Sequence, residues 1–310
     1  MKEANSDLTL SQTVGVSGHF TLIVRKADAL GEPIPGTERV VAEFQNLITN
    51  TGLDYLCSGD MSAQNCQVGS GTNAPANTDS TLQTYIARTA SIFSALAITA
   101  NSSPPYYTSL VHSFRFSVGV ATGTLTEIGM GTSSGSAGGL LSRALILDVL
   151  GDPTAITVLS TEILDIIYTL RIYPPTTDVV TSVGLFTVTS RAYRVTTSSR
   201  WGTTFILSRA LVLAFPGGSH LVGITADLQA TYTAFSGNAS SVSVATYVLG
   251  SYQEIGTIIF EPELANSVLG VSVVAYSTRR GSWQIEFSPA IFKTAVQRLT
   301  LTVLTTIARA

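Results

Sequence analysis

Glu127, Asp165 and Glu254 are the residues with which this chain could cleave a glycosidic bond. That chemistry needs two carboxylates facing one bond across a cleft, one as acid and one as base or nucleophile. Glu127 and Glu254 are each followed by Ile-Gly at what reads as a strand end. A carboxylate there suits a hydrogen-bonded turn or an arginine partner better than a substrate. A second chemistry, attack by an activated serine, is suggested by Gly131-Thr-Ser-Ser-Gly135, which matches G-x-S-x-G around Ser133. The elbow that activates such a serine must pass from a strand directly into a helix. Here the next residues are Ser136-Ala-Gly-Gly, a flexible spacer, so the stretch reads as a Gly/Ser hairpin tip.

A third chemistry, phosphate binding, is raised by Val68–Arg88 (VGSGTNAPANTDSTLQTYIAR), where glycines precede a helix-like run. Glycines entering a helix N-terminus can aim several N–H groups at an anion. A Walker loop requires Lys followed by Ser or Thr, and a dinucleotide fingerprint requires a third glycine. Gly71 is instead followed by Thr72-Asn-Ala-Pro75. The expectation is that Gly69 and Gly71 supply positive-φ turn positions. Asp79 or Ser80 then caps a short helix Thr81–Arg88, with Gln83 completing a capping box.

The remaining reactive side chains are dispersed. His19, His112 and His220 have no ligand-spaced partners, so no metal site and no cofactor is expected. Cys57 and Cys66 read as free thiols in preference to a bridge. Tyr106, Tyr107, Trp201 and Trp283 could stack on sugar rings or anchor a subunit interface. With Arg200, Arg279 and Arg280 near the tryptophans, the interface reading is preferred.

These residues sit in a chain of 310 residues with only 12% charged against 45% hydrophobic, and a net charge of −3. A surface with so few ions implies cover by partners. Lys2, Lys26 and Lys293 are the only lysines and no basic stripe exists, which argues against a nucleic-acid partner. No apolar run approaches the roughly eighteen residues of a membrane helix. The start, MKEANSDLTLSQ, lacks a signal-like apolar stretch, so secretion by that route is not expected.

Short alternating runs recur at intervals, among them HFTLIVRKAD, RVVAEFQNLI, SLVHSFRFSVGV, LLSRALIL and LTLTVLTTIARA. This cadence predicts a mainly β chain of antiparallel sandwich or barrel-like domains, with one or two short helices in the N-terminal half. Thr51–Cys57 is a candidate helical turn. Pro174-Pro175 cannot continue a ladder and marks the expected boundary between domains 1–175 and 176–310. Two echoes link the halves: Leu140–Leu145 recurs at Ile206–Leu211, and Thr126–Gly129 has a counterpart in Gln253–Gly256, in reversed order.

Several pieces resemble tailed-bacteriophage virion proteins of the tail-fibre, baseplate and collar type. They are Phe44–Asp54, the VGSGTNAP…TDSTL loop, Phe116–Gly129, Gly139–Ile146 and Ile163–Pro175, in that order over roughly the first 175 residues. The resemblance implies a non-enzymatic virion component that forms homo-oligomers, a trimer or higher ring, and docks other virion proteins. The alternative is a receptor- or carbohydrate-binding module at a fibre tip that holds host surface glycan, and a glycan hydrolase ranks below both.

Overall fold

From Leu8 to Val24 every second residue of the first strand is buried, while those between reach the surface. This two-residue period belongs to a pleated strand with one covered face. The computed structural model describes residues 6–58, 63–100, 103–133, 139–183, 185–192, 212–216, 232–235, 241–261, 271–277, 282–292, 294 and 296–310. Its strands begin with β1 (Ser6–Lys26), β2 (Arg39–Ile48), β3 (Asn65–Gly69), β4 (Tyr85–Thr89), β5 (Ile92–Ala100) and β6 (Tyr107–Phe116). There follow β7 (Gly123–Leu125), β8 (Glu127–Gly131), β9 (Leu140–Leu145), β10 (Ile156–Val158), β11 (Glu162–Tyr173), β12 (Val179–Val183) and β13 (Phe186–Ala192). The last are β14 (Val212–Pro216), β15 (Tyr232–Phe235), β16 (Ser241–Val244), β17 (Gln253–Phe260), β18 (Val271–Ser277), β19 (Ser282–Ile291) and β20 (Leu299–Arg309). The fold is mainly β, as the alternation predicts, with antiparallel pairing consistent with a β-sandwich.

The described residues hold one helix, α1 (Asn50–Ser58), which covers the expected turn at Thr51–Cys57. Thr49 caps it, accepting the Gly52 N–H at 2.9 Å. A Cβ on Gly52 would run into the Leu141 carbonyl, so glycine lets α1 lie against β9. The helix expected over Thr81–Arg88 does not form; its second half is strand β4.

The chain divides into two compact units with interleaved segments. One comprises Met1–Gly15, Thr99–Tyr107 and Tyr173–Ala308; the other comprises Val16–Ile98, Thr108–Ile172 and Arg309–Ala310. The boundary expected after residue 175 falls close to the break at Ile172/Tyr173, but two earlier segments go with the later unit.

In the unit built around Val16–Ile172 the ladder runs β5-β6-β11-β1-β2-β9-β8-β3-β4. β1 and β2 pair from Gly18 opposite Asn46 to Val24 opposite Arg39. Phe20 packs 5.1 Å from Tyr168 and 5.9 Å from Phe44, ring centre to ring centre. Burying each such side chain contributes roughly 1.5–3 kcal/mol. Arg309 donates from Nε to the Ile48 carbonyl at 2.6 Å and from Nη2 to Asn50 Oδ1 at 2.7 Å. Ala310 N–H reaches the Val16 carbonyl at 2.9 Å, so the last two residues are stitched into this unit.

The other unit contains a six-stranded sheet, β12-β13-β19-β18-β14-β15, and the antiparallel run β16-β17-β20. β17 and β20 alternate buried and partly exposed residues along their length.

Candidate functional site

Glu127 opens β8 with its side chain fully buried. Its Oε1 accepts the N–H groups of Gly71 at 3.0 Å and Thr84 at 2.7 Å. Its Oε2 accepts Gln83 N–H at 3.1 Å and Arg143 Nε at 2.9 Å. A carboxylate has about four acceptor positions, and here all are taken. Arg143, on β9 and itself buried, also donates from Nη1 to Asp79 at 2.7 Å and from Nη2 to the Asn73 carbonyl at 3.0 Å. Gln83 Oε1 accepts Thr72 and Asn73 N–H at 2.8 and 2.7 Å. The segment between β3 and β4 is therefore wrapped around a buried ion pair.

Gly69 and Gly71 serve this clamp, though not through positive φ as the sequence suggested: neither is among the left-handed glycines. A Cβ on Gly71 would lie 2.5 Å from Glu127 Oε1, and one on Gly69 would strike the Thr84 carbonyl. Their role is to let the main chain approach the carboxylate. Asp79 caps no helix either; it accepts Ala76 N–H at 2.8 Å and the Arg143 bond. Burial pushes the Asp79 carboxyl up, but the Ala76 bond and the Arg143 guanidinium outweigh it and hold the group below its ordinary value. The N–H groups that Thr81–Arg88 would have needed for a helix start are consumed by Glu127.

Asp165 is committed in the same way. It is buried, takes a two-pronged contact from Arg115 at 2.7 and 2.7 Å, and accepts Arg25 Nε at 2.9 Å. Two carboxylates considered for hydrolysis thus act as structural acceptors, as the sequence reading of Glu127 expected. Of Gly131–Gly135, Gly131 ends β8 while Thr132 bonds to the Gly139 carbonyl at 3.0 Å, closing a hairpin to β9. Residues 134–138 lie outside the described residues.

Trp283 does not form an exposed platform. Its indole is fully buried, on β19 opposite Ala192 and Tyr276, and belongs to the core of its unit. Tyr107 meets Tyr173 edge-on at 6.0 Å, and Tyr106 is half-buried. Trp201, Arg279 and Arg280 lie outside the described residues. Neither Cys57 nor Cys66 is in a disulfide; both are buried, and burial pushes the Cys66 thiol well up.

Sequence reasoning missed a repeated hairpin tip. Asp28-Ala-Leu-Gly-Glu-Pro33 and Asp148-Val-Leu-Gly-Asp-Pro153 share the pattern Asp-x-Leu-Gly-acid-Pro. In the first, Asp28 Oδ1 accepts Leu30 and Glu32 N–H at 2.9 and 2.8 Å, and Gly31 takes φ 84°. In the second, Asp148 Oδ1 accepts Leu150 and Asp152 N–H at 2.8 and 3.0 Å, and Gly151 takes φ 86°. Each tip is closed by a bridge from the residue before the aspartate to the proline. A self-comparison of the sequence for hexads would have found them.

Both tips project from one end of their unit. β2 leaves the first tip and reaches Ile48 opposite Ser142; β9 runs antiparallel to it, back toward that end, before the second tip. There Leu30 is 88% exposed, Leu150 83%, and Val149 wholly so. Between them the segments 27–35 and 147–155 carry four acidic residues and no basic one.

Comparison of the chain with protein families, with curated proteins and with solved structures gives no match. Among the described residues no helix is long and apolar enough to cross a membrane.

Proposed function

We propose that this chain is a structural component of a tailed-phage virion, in its tail, baseplate, fibre or collar region, that self-associates and docks other virion proteins. The resemblance over the first 175 residues supplies the virion. The twin tips carry the docking role. Apolar side chains held almost fully in water on turns locked by their own aspartates are pre-organised contact points, because they lose little freedom when a partner covers them. Their acidic setting favours a partner surface with apolar sockets rimmed by basic residues. Two of the three carboxylates considered for catalysis support the same reading, since Glu127 is filled by Arg143 and backbone N–H groups and Asp165 is held by Arg25 and Arg115. Immunogold electron microscopy of intact particles, with antibody raised against this chain, tests the proposal. Labelling of the tail, baseplate or collar is expected. Absence of the chain from gradient-purified particles would overturn it, and labelling confined to a distal tip together with binding to host glycan would replace docking by receptor recognition.

A further inference from the structure

We infer that β5 is the strand through which two copies of this chain join, pairing antiparallel about a twofold axis through Ala95. The inference rests on the reading of the chain as a self-associating subunit and names the contact. Among the described residues β5 pairs with β6 alone, so its outer row of N–H and C=O groups has no strand beside it. Both faces are partly open: Ile92, Phe93, Leu96 and Ile98 are 42 to 55% exposed and fall on both sides of the strand. Arg115 lies over the Phe93 ring at 4.5 Å and donates its N–H to the Ser91 carbonyl at 3.0 Å, which fixes the strand's start.

Proteins that stay monomeric blunt an open edge with lysine, proline or a bulge. Ile92–Ala100 (IFSALAITA) contains no charge and no proline. The far end of the same ladder differs: β4 carries Arg88, and its register with β3 shifts at Val68/Gly69. Of these two edges one is guarded and the other open, which favours β5 meeting β5 over β5 meeting the β4 of the next copy.

Charge and size also point to a second copy. An uncharged strand facing itself sets no like charges opposite one another, and it offers nothing to a nucleic acid or an anionic surface. With Ala95 opposite its own counterpart, Ile92 stands across from Ile98 on one face. Phe93 stands across from the small Ala97 on the other, so bulk meets space.

The test uses the full chain in sedimentation equilibrium with two variants. Leu96→Lys places a charge on the open edge and is expected to weaken self-association by about tenfold or more, with an unchanged circular-dichroism melt. Ala95→Cys is expected to give a covalent dimer on mild oxidation, while the native chain, whose Cys57 and Cys66 are buried, gives none. This second variant decides the matter even where Leu96→Lys fails to fold. A chain that associates as before with Leu96→Lys, and whose Ala95→Cys form stays uncrosslinked, would overturn β5 pairing and leave the subunit reading standing. A native chain that remains monomeric at every micromolar concentration, with no crosslinking of Ala95→Cys, would overturn the pairing and remove the self-association on which it rests.

Discussion

Two kinds of glycine loop occur in the unit built around Val16–Ile172, and they are held by opposite means. The tips at Asp28–Pro33 and Asp148–Pro153 are closed from within, by an aspartate two and four residues from the N–H groups it accepts. The segment after β3 is closed from outside, by Glu127, 56 residues beyond Gly71, and by Arg143, 64 residues from Asp79. In the tips glycine supplies a left-handed turn; in the clamped segment it supplies room. A self-contained turn can be copied anywhere a hairpin needs an end, and here it appears twice. A clamp that recruits two other strands is tied to the one place where those strands meet.

The comparison can be broken most severely at Glu127. Glu127→Ala removes the acceptor of three backbone N–H groups and one of the two carboxylates that hold the buried Arg143 guanidinium, and should lower the unfolding free energy by about 3–5 kcal/mol. Urea titration measures this, and a loss below about 1 kcal/mol would mean that the clamp does not hold the segment. Gly71→Ala comes next. Its new methyl meets both Glu127 and Gln83 at 2.5 Å, and forcing extra volume into such a place costs about 1–3 kcal/mol.

The tips should respond less and alike. Gly31→Ala and Gly151→Ala each force a side chain into the left-handed region at a cost of about 1–2 kcal/mol. Equal shifts in melting temperature are expected, since the two φ angles are 84° and 86°. A large response at one tip alone would show that the turns are not equivalent. The smallest effect concerns acid. Asp79 is held below its ordinary value in the folded chain, so the stability it contributes is complete above the unfolded value of about 3.9 and is lost as pH falls through the folded one. Asp79→Asn should remove that portion of the acid limb in a plot of stability against pH.

Much of this fold is written in short-range pattern. The alternation of His19–Val24 and of Leu299–Ile307 survives as alternating burial, because a strand with one covered face repeats every two residues whatever surrounds it; the first strand also extends back to Ser6, beyond the run read from sequence. Glu127 as the acceptor for a turn or an arginine was legible from its place at a strand terminus, although it opens β8 where the sequence suggested a strand end. The identity of that arginine was not, since Arg143 reaches it only through the register that sets Gly129 opposite Arg143. Thr81–Arg88 misled because Ser80 and Gln83 have capping spacing; the N–H groups of Gln83 and Thr84 instead meet a carboxylate that no local window includes. Trp283 misled because a lone tryptophan beside arginines looks the same in sequence whether it faces water or a sheet interior.

The attachment of Arg309 and Ala310 to Ile48, Asn50 and Val16 bears on how the molecule is made. Synthesis reaches those two residues only after the whole of Tyr173–Ala308 has been made. The unit that receives them must wait, half-finished, while the segment that separates its parts is made, and its clasp closes only afterwards.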